Sequence, residues 1–286
     1  MNTSACQTRL FCPRVATLRG HLRRWYDLKE GGKTVAFVQI RHLTKRYGQH
    51  RAALDDFSLD IAANEFVGIM GPSGVGKSTL LNIIATLKKP TSGTVFVAGQ
   101  PVTKWRDAKA ANFRRTQLGL MIQDFRLLPN LTIGDNIALP LTLLPPRPKD
   151  LAERVAQVAT QFSLDPLLTR YPHQLSIGQQ QRVAAARAII TKPSLILADE
   201  PTASLDSHAA TTFLQHLAKL HHEAHTTTIL VTHDAFTASF CDRIVFIKDG
   251  RFFAAVTSKG NQQQFFEQIV ETAAISGGRW RDETIN

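Results

Sequence analysis

The run Gly71-Pro72-Ser73-Gly74-Val75-Gly76-Lys77-Ser78-Thr79 sets glycines and a lysine at the spacing G-x-x-x-x-G-K-[ST]. Glycines there let successive backbone N–H groups turn toward one anion, so the run is suited to cradling a chain of phosphates. In such a loop Lys77 reaches the β- and γ-phosphates of a nucleoside triphosphate, and the Ser78 hydroxyl is a hard oxygen ligand for Mg2+. A second pair, Asp199-Glu200, ends the apolar run Ser194–Ala198. A carboxylate at that place can hold the same Mg2+, and Glu200 is next in line to accept a proton from an attacking water as general base. The chemistry available to these residues is attack of water on a terminal phosphate.

That chemistry needs a strand ending at the loop and a helix beginning on it. Glu65–Met70 reads as a buried strand, and Leu80–Ile84 as the apolar start of a helix whose positive end favours phosphate. Leu118–Ile122, Ser194–Ala198 and Thr228–Thr232 are further apolar strand runs, while Val35–Arg41 and Phe57–Ile61 alternate like strands with one wet face.

With 286 residues, 43% of them hydrophobic and 20% charged, the chain has room for a sizeable core, and wholesale disorder is excluded. The segment Leu127–Pro146 is apolar but contains Asp135 and four prolines, which excludes a membrane span there. Cys6, Cys12 and Cys241 are too few for a disulfide framework and lack zinc spacing. The formal net charge is +11, of which residues 1–34 supply +5 through seven basic and two acidic side chains. The basic residues of the remainder are scattered without interleaved aromatics, so nucleic acid is not expected as a ligand. Residues 1–34 show no periodicity and no secretory apolar stretch. They are expected to be a disordered basic extension or an over-extended gene start, since Lys29-Glu30-Gly31 can encode a ribosome-binding sequence a few codons before Val35.

Between the two chemical strands lies Leu175-Ser176-Ile177-Gly178-Gln179-Gln180-Gln181-Arg182, which resembles the LSGGQ signature peptide of ATP-binding-cassette ATPases. Ser176 and Gln179 also have the spacing of a capping box opening a helix through Ile190. The resemblance extends in order to Tyr47, the aromatic that stacks on adenine, and Gln123, the loop glutamine that touches Mg2+ and couples to the permease. It extends further to Ser204-Leu205-Asp206, the loop that signals between sites, and to His233, the switch histidine that contacts the γ-phosphate. It implies an α/β phosphate-loop NTPase with a RecA-like core, an N-terminal antiparallel β subdomain and an inserted α-helical subdomain at about 119–185. The cassette is expected over 35–278, with 279–286 as a tail. By the same resemblance Ser176 and Gly178 hold ATP bound by a second copy, and Gln179 and Asp206 count among the nucleotide-binding residues. Ile177 departs from the family pattern by replacing a signature glycine, and is expected to slow the ATP-driven dimer without killing the site.

One cassette without a membrane span implies a homodimer on a separate transmembrane permease, at the cytoplasmic face of the cell membrane. Gly68–Gly74, Lys88–Gly93 and Asn136–Leu141 resemble the macrolide-exporter and lipoprotein-release group, and Asp124–Pro129 the bacterial cell-division cassette. Ala238–Gly250, Gln263–Glu267 and Ile275–Gly278 resemble the tails of bacitracin-type antimicrobial-peptide resistance transporters. Peptide resistance is the reading carried forward, against lipoprotein release, macrolide export, cell division or a regulatory ATP switch that moves no substrate. Phe265, Ile269 and Thr272 give the tail the spacing of an amphipathic helix.

Overall fold

The computed structural model describes residues 36–48, 52–144, 146 and 148–276. The expectations for residues 1–34, for a start at Val35 and for the tail at 279–286 fall outside the described residues. In chain order the strands are β1 (Val38–Lys45), β2 (Leu54–Ile61), β3 (Phe66–Met70), β4 (Ser92–Val97) and β5 (Gln100–Pro101). They continue with β6 (Leu118–Met121), β7 (Leu195–Asp199), β8 (Thr227–Val231), β9 (Arg243–Lys248) and β10 (Arg251–Thr257). The helices are α1 (Lys77–Ile84), α2 (Asp107–Thr116), α3 (Ile133–Thr142) and α4 (Leu151–Gln161). After them come α5 (Ile177–Ile189), α6 (Ser207–Ala224), α7 (Ala235–Ala238) and α8 (Gln262–Ile275).

Two sheets result. A four-stranded antiparallel sheet has the order β2-β1-β4-β5, and a six-stranded sheet has the order β10-β9-β3-β8-β7-β6. In the larger sheet β9, β3, β8, β7 and β6 run parallel and only β10 is antiparallel. β1 runs later than the predicted Val35–Arg41: Val38 and Ile40 are buried in alternation as expected, and a register shift after Ile40 then buries Leu43 instead of His42. β3 is buried at all five positions because both faces of a central parallel strand are covered. Its alternate residues serve different cores. Val67 and Ile69 pack with Leu80, Ile83 and Ile84 of α1 and with the small sheet, whereas Phe66 and Met70 pack with the helices of the opposite face. The phosphate-loop helix is thus held between the two sheets.

β6 belongs to the parallel sheet, and three helices, α3, α4 and α5, intervene before β7. The loop entering α3 is stitched by Asn136, which is fully buried. Its Oδ1 accepts from Leu128 N at 2.7 Å, and its Nδ2 donates to the carbonyls of Leu128, Leu131 and Thr132 at 3.0 to 3.1 Å. α8 buries Phe265, Ile269 and Ala273, so the helix predicted near the C-terminus forms, with Ala273 rather than Thr272 as its third buried residue. Among the described residues no helix is long and apolar enough to cross a membrane.

One core position is chemically mismatched. Thr228 on β8 is fully buried, and its hydroxyl has no hydrogen-bond partner among the described residues. A buried, unmade hydrogen bond costs free energy that a methyl of the same shape does not. Thr228→Val is therefore expected to stabilise the chain by about 1 kcal/mol, read as a shift of the urea midpoint at unchanged slope.

Candidate functional site

The phosphate loop is shaped by its glycines. Gly74 and Gly76 sit at φ +78° and +109°, in the left-handed range. A Cβ on Gly76 would lie 2.1 Å from the carbonyl oxygen of Ala53, so no other residue fits there. α1 then starts at Lys77 with no side-chain cap and no acidic residue in its first turn. Its end is left electrically positive, which suits an anion. Lys77 is buried, and its Nζ donates to the carbonyls of Gly71 at 2.7 Å and Pro72 at 3.2 Å. Burial pushes its pKa down, with the carboxylates of Glu200 and then Asp199 acting against that.

β7 delivers the acidic pair. Asp199 is the last residue of the strand, and its Oδ1 accepts a hydrogen bond from Ser78 Oγ at 3.1 Å. Burial raises its pKa above the usual carboxylate value; the Ser78 bond works against the rise, and the neighbouring Glu200 charge adds to it. Glu200 is bent out of the strand at φ +47°, with its N–H donating to Val231 O at 2.9 Å. Left-handed backbone at a non-glycine residue is strained, and such strain gathers at functional sites. The turn directs its carboxylate to His233, whose Nδ1 lies 2.9 Å from Glu200 Oε1. Two residues beyond Glu200, the buried hydroxyl of Thr202 pairs with that of Thr237 at 2.8 Å. Thr237 also donates to Asp234, the neighbour of His233, at 2.5 Å.

Ser73, Gly74, Gly76, Lys77, Ser78, Thr79, Gln123, Glu200 and His233 line one open cleft of about 320 Å3. Gly71, Pro72 and Asp199 join it through Lys77 and Ser78, and Val75 packs into the apolar core beside the small sheet. Tyr47 stands at its edge, 3.3 Å from Thr79 Oγ1 through its hydroxyl. Two residues missed in the sequence flank that ring: Lys45 and Lys88, each with Nζ 5.2 Å from its centroid. Lys45 could have been found two positions before the tyrosine, whereas Lys88 is brought in only by the fold. Ala203 is a further cleft residue that carries no chemical signal.

Four predicted residues stand elsewhere. Ser176 and Gln179 cap α5 reciprocally, with Ser176 N donating to Gln179 Oε1 at 2.9 Å and Gln179 N to Ser176 Oγ at 3.3 Å. Gly178 lies against the next loop, a Cβ on it falling 3.8 Å from Leu205 Cδ2. Asp206 caps α6 by accepting from Ala209 N at 2.9 Å. None of the four lines the phosphate cleft. The phosphate cleft and the capped start of α5 are thus separate places on the chain.

A family model described as "ABC transporter" matches residues 54–203. The chain belongs to the ABC transporter family. Among its relatives, the ABC transporter ATP-binding protein YxdL of Bacillus subtilis is 44% identical over 247 residues, 86% of this chain and 96% of that protein. The bacitracin export ATP-binding protein BceA of Halalkalibacterium halodurans is 38% identical over 253 residues, covering 87% and 100%. The dimeric cassette MJ0796, solved in a post-hydrolysis state with ADP and Pi, superposes with a TM-score of 0.72 at 38% identity, covering 78% of this chain and all of that one. The chain is an ABC ATPase, and its α/β architecture is that of the family.

This ABC ATPase has the donor set for the Mg2+ that accompanies ATP. The Ser78 hydroxyl and the Asp199 carboxylate are two hard oxygen donors already 3.1 Å apart. Mg2+ in nucleotide sites takes one or two protein ligands and fills its other positions with phosphate and water, so the residues present fit.

The departure at Ile177 is visible on the surface. Ile177 is the first residue of α5 and is 53% exposed, directly beside the capping serine. Its backbone is not left-handed, so helix geometry survives the branched side chain. Ile177→Gly is expected to raise the rate of ATP turnover severalfold, followed by phosphate release; a rate unchanged or lowered would refute the view that this side chain obstructs a close approach.

Proposed function

We propose that this ABC ATPase works as a head-to-tail pair of identical copies on a separate membrane permease, at the cytoplasmic face, in antimicrobial-peptide resistance. The observation that carries the pairing is the separation of half-sites: Lys77, Ser78, Glu200 and His233 share one cleft, while Ser176, Gly178, Gln179 and Asp206 do not line it. Turned head to tail, each copy offers its capped helix end to the nucleotide of the other, where N–H groups and the helix dipole favour a γ-phosphate.

When bound, Mg2+ supplies charge neutralisation across the phosphates. The chain's own residues do the rest. Lys77 leaves the carbonyls of Gly71 and Pro72 for the β- and γ-phosphates. Tyr47 stacks on adenine. Glu200 orients the attacking water and takes its proton, and His233, bonded to Glu200, contacts the γ-phosphate.

The permease contact fits a second feature. Leu118, Leu120, Leu139, Pro140 and Leu143 line an open groove of about 320 Å3 together with Arg114, Arg115 and Arg187. A short permease helix with apolar residues and a carboxylate would match it. Peptide resistance is supported by likeness to a protein named for bacitracin export and by the tail sequence.

The test is co-purification from native membranes in mild detergent, with Glu200→Gln and ATP present to hold the complex, and mass identification of the partner. A many-spanned permease with a large extracellular domain is the expected result. A permease of few spans would redirect the assignment to lipoprotein release, macrolide export or cell division, and absence of a membrane partner would overturn the transport reading in favour of a regulatory switch.

A further inference from the structure

Arg187 lies in the last turn of α5, the helix that opens at Ser176. Its side chain leaves the helix for the loop that follows Gln123. Nη1 donates to Arg126 O at 2.7 Å and Nη2 donates to Phe125 O, so one planar guanidinium spans two consecutive carbonyls. The residues it grips are unusual. Phe125 and Arg126 are adjacent, neither is glycine, and their φ angles are +52° and +45°. Left-handed backbone at such residues is strained and persists only where its surroundings impose it. The loop is tight as well, with Phe125 N donating to Ile122 O at 3.1 Å and Arg126 N to Asp124 O.

Downstream, Asn136 pins the same loop at Leu128, Leu131 and Thr132. The stretch whose placement depends on Arg187 is therefore short, and Gln123 stands at its start, in the phosphate cleft. Upstream on α5, Ile177 is ten residues from Arg187, about 15 Å along a rigid helix axis. One helix thus has the signature at its beginning and a grip on the Gln123 loop at its end.

We infer that Arg187 is a positioning residue through which α5 sets the place of Gln123 in the nucleotide cleft. A shift of the helix end beside the partner's nucleotide then moves Gln123 with it, without any contact between the two. The inference rests on the reading of Gln123 as a site residue, and its test separates the two.

The experiment is a double-mutant cycle on the full chain, Gln123→Ala and Arg187→Met, reading kcat and KM for ATP with Mg2+ in excess. Methionine keeps an apolar stem in the groove and removes the fork. Each single variant is expected to lower kcat about tenfold at little-changed KM, because Lys77 and Tyr47 are untouched, and the double variant is expected to be no slower than Gln123→Ala alone. Equal losses from Arg187→Met with and without Gln123 would overturn the inference, leaving Arg187 a fastener only. Gln123→Ala with normal turnover would overturn the reading of Gln123 itself, and the inference with it. Should Arg187→Met not fold, Arg187→Lys, which reaches one carbonyl, takes its place. Adding Phe125→Gly and Arg126→Gly to it supplies left-handed angles without a clamp. Recovery of part of the lost kcat supports the inference, and no recovery refutes it.

Discussion

Glu200→Gln is expected to lower ATP turnover by at least about a hundredfold to ten-thousandfold, the range a positioned general base supplies, while ATP binding persists. The geometry makes this substitution clean. The backbone at residue 200 is fixed by its bond to Val231 O at 2.9 Å, and the side chain is largely buried against His233. Glutamine has the same shape and its amide oxygen still meets His233 Nδ1, so the pocket keeps its form and loses only the group that can accept a proton. With hydrolysis stopped, the proposed pairing would leave the bound nucleotide between two copies, and sedimentation should move from monomer to dimer on adding ATP. Turnover at the normal rate would refute the general-base role, and lost ATP binding would show that the carboxylate acts on the ground state instead.

Asp199→Asn is expected to do two opposite things: cut turnover by at least about a hundredfold, by removing a hard oxygen donor suited to Mg2+, and raise the melting temperature of the nucleotide-free chain. The second effect follows from the direction of the pKa shift. Burial raises the Asp199 carboxyl above its ordinary value; the Ser78 hydrogen bond and the Lys77 charge oppose this without winning, and Glu200 adds to it. A carboxyl whose folded pKa exceeds its unfolded one favours folding when protonated, and that contribution is lost as pH rises through the folded pKa. At neutral pH the ionised group is thus a standing cost, which asparagine removes. Removing a neighbour of the buried Lys77 ammonium works the other way, but Glu200, the stronger of its two acidic partners, stays in place. A melting series from about pH 5 to 8 on the two proteins decides the matter. The variant should melt higher at neutral pH, with the gap narrowing toward acid; a lower melting point at every pH would refute the account.

How much of this was legible in advance depends on how local the signal was. The phosphate loop, the Asp199-Glu200 pair and the Ser176/Gln179 cap are written in short local stretches, and the structure sets the first between β3 and α1, the second at the end of β7 and the third at the start of α5. The strands β3, β7 and β8 were found within a residue or two, because buried parallel strands read as short unbroken apolar runs. What local pattern could not supply was the meeting of distant segments. Lys88 reaches Tyr47 across 41 residues, and Arg187 reaches Phe125 and Arg126 across 62 and 61. Nor does any sequence rule announce left-handed backbone at Phe125, Arg126 or Glu200, where bulky or charged residues are held by the fold against their own preference.

The hydroxyl pair Thr202–Thr237 has a consequence for timing. Glu200 and His233 come from two loops after two different strands, and two free loops would each have to arrive before water and phosphate could be met together. That pair, and the bond between the two side chains themselves, fasten the loops to each other at two points. On the roles proposed for Glu200 and His233, one movement of this joined unit, and not two independent arrivals, would bring both side chains to the nucleotide.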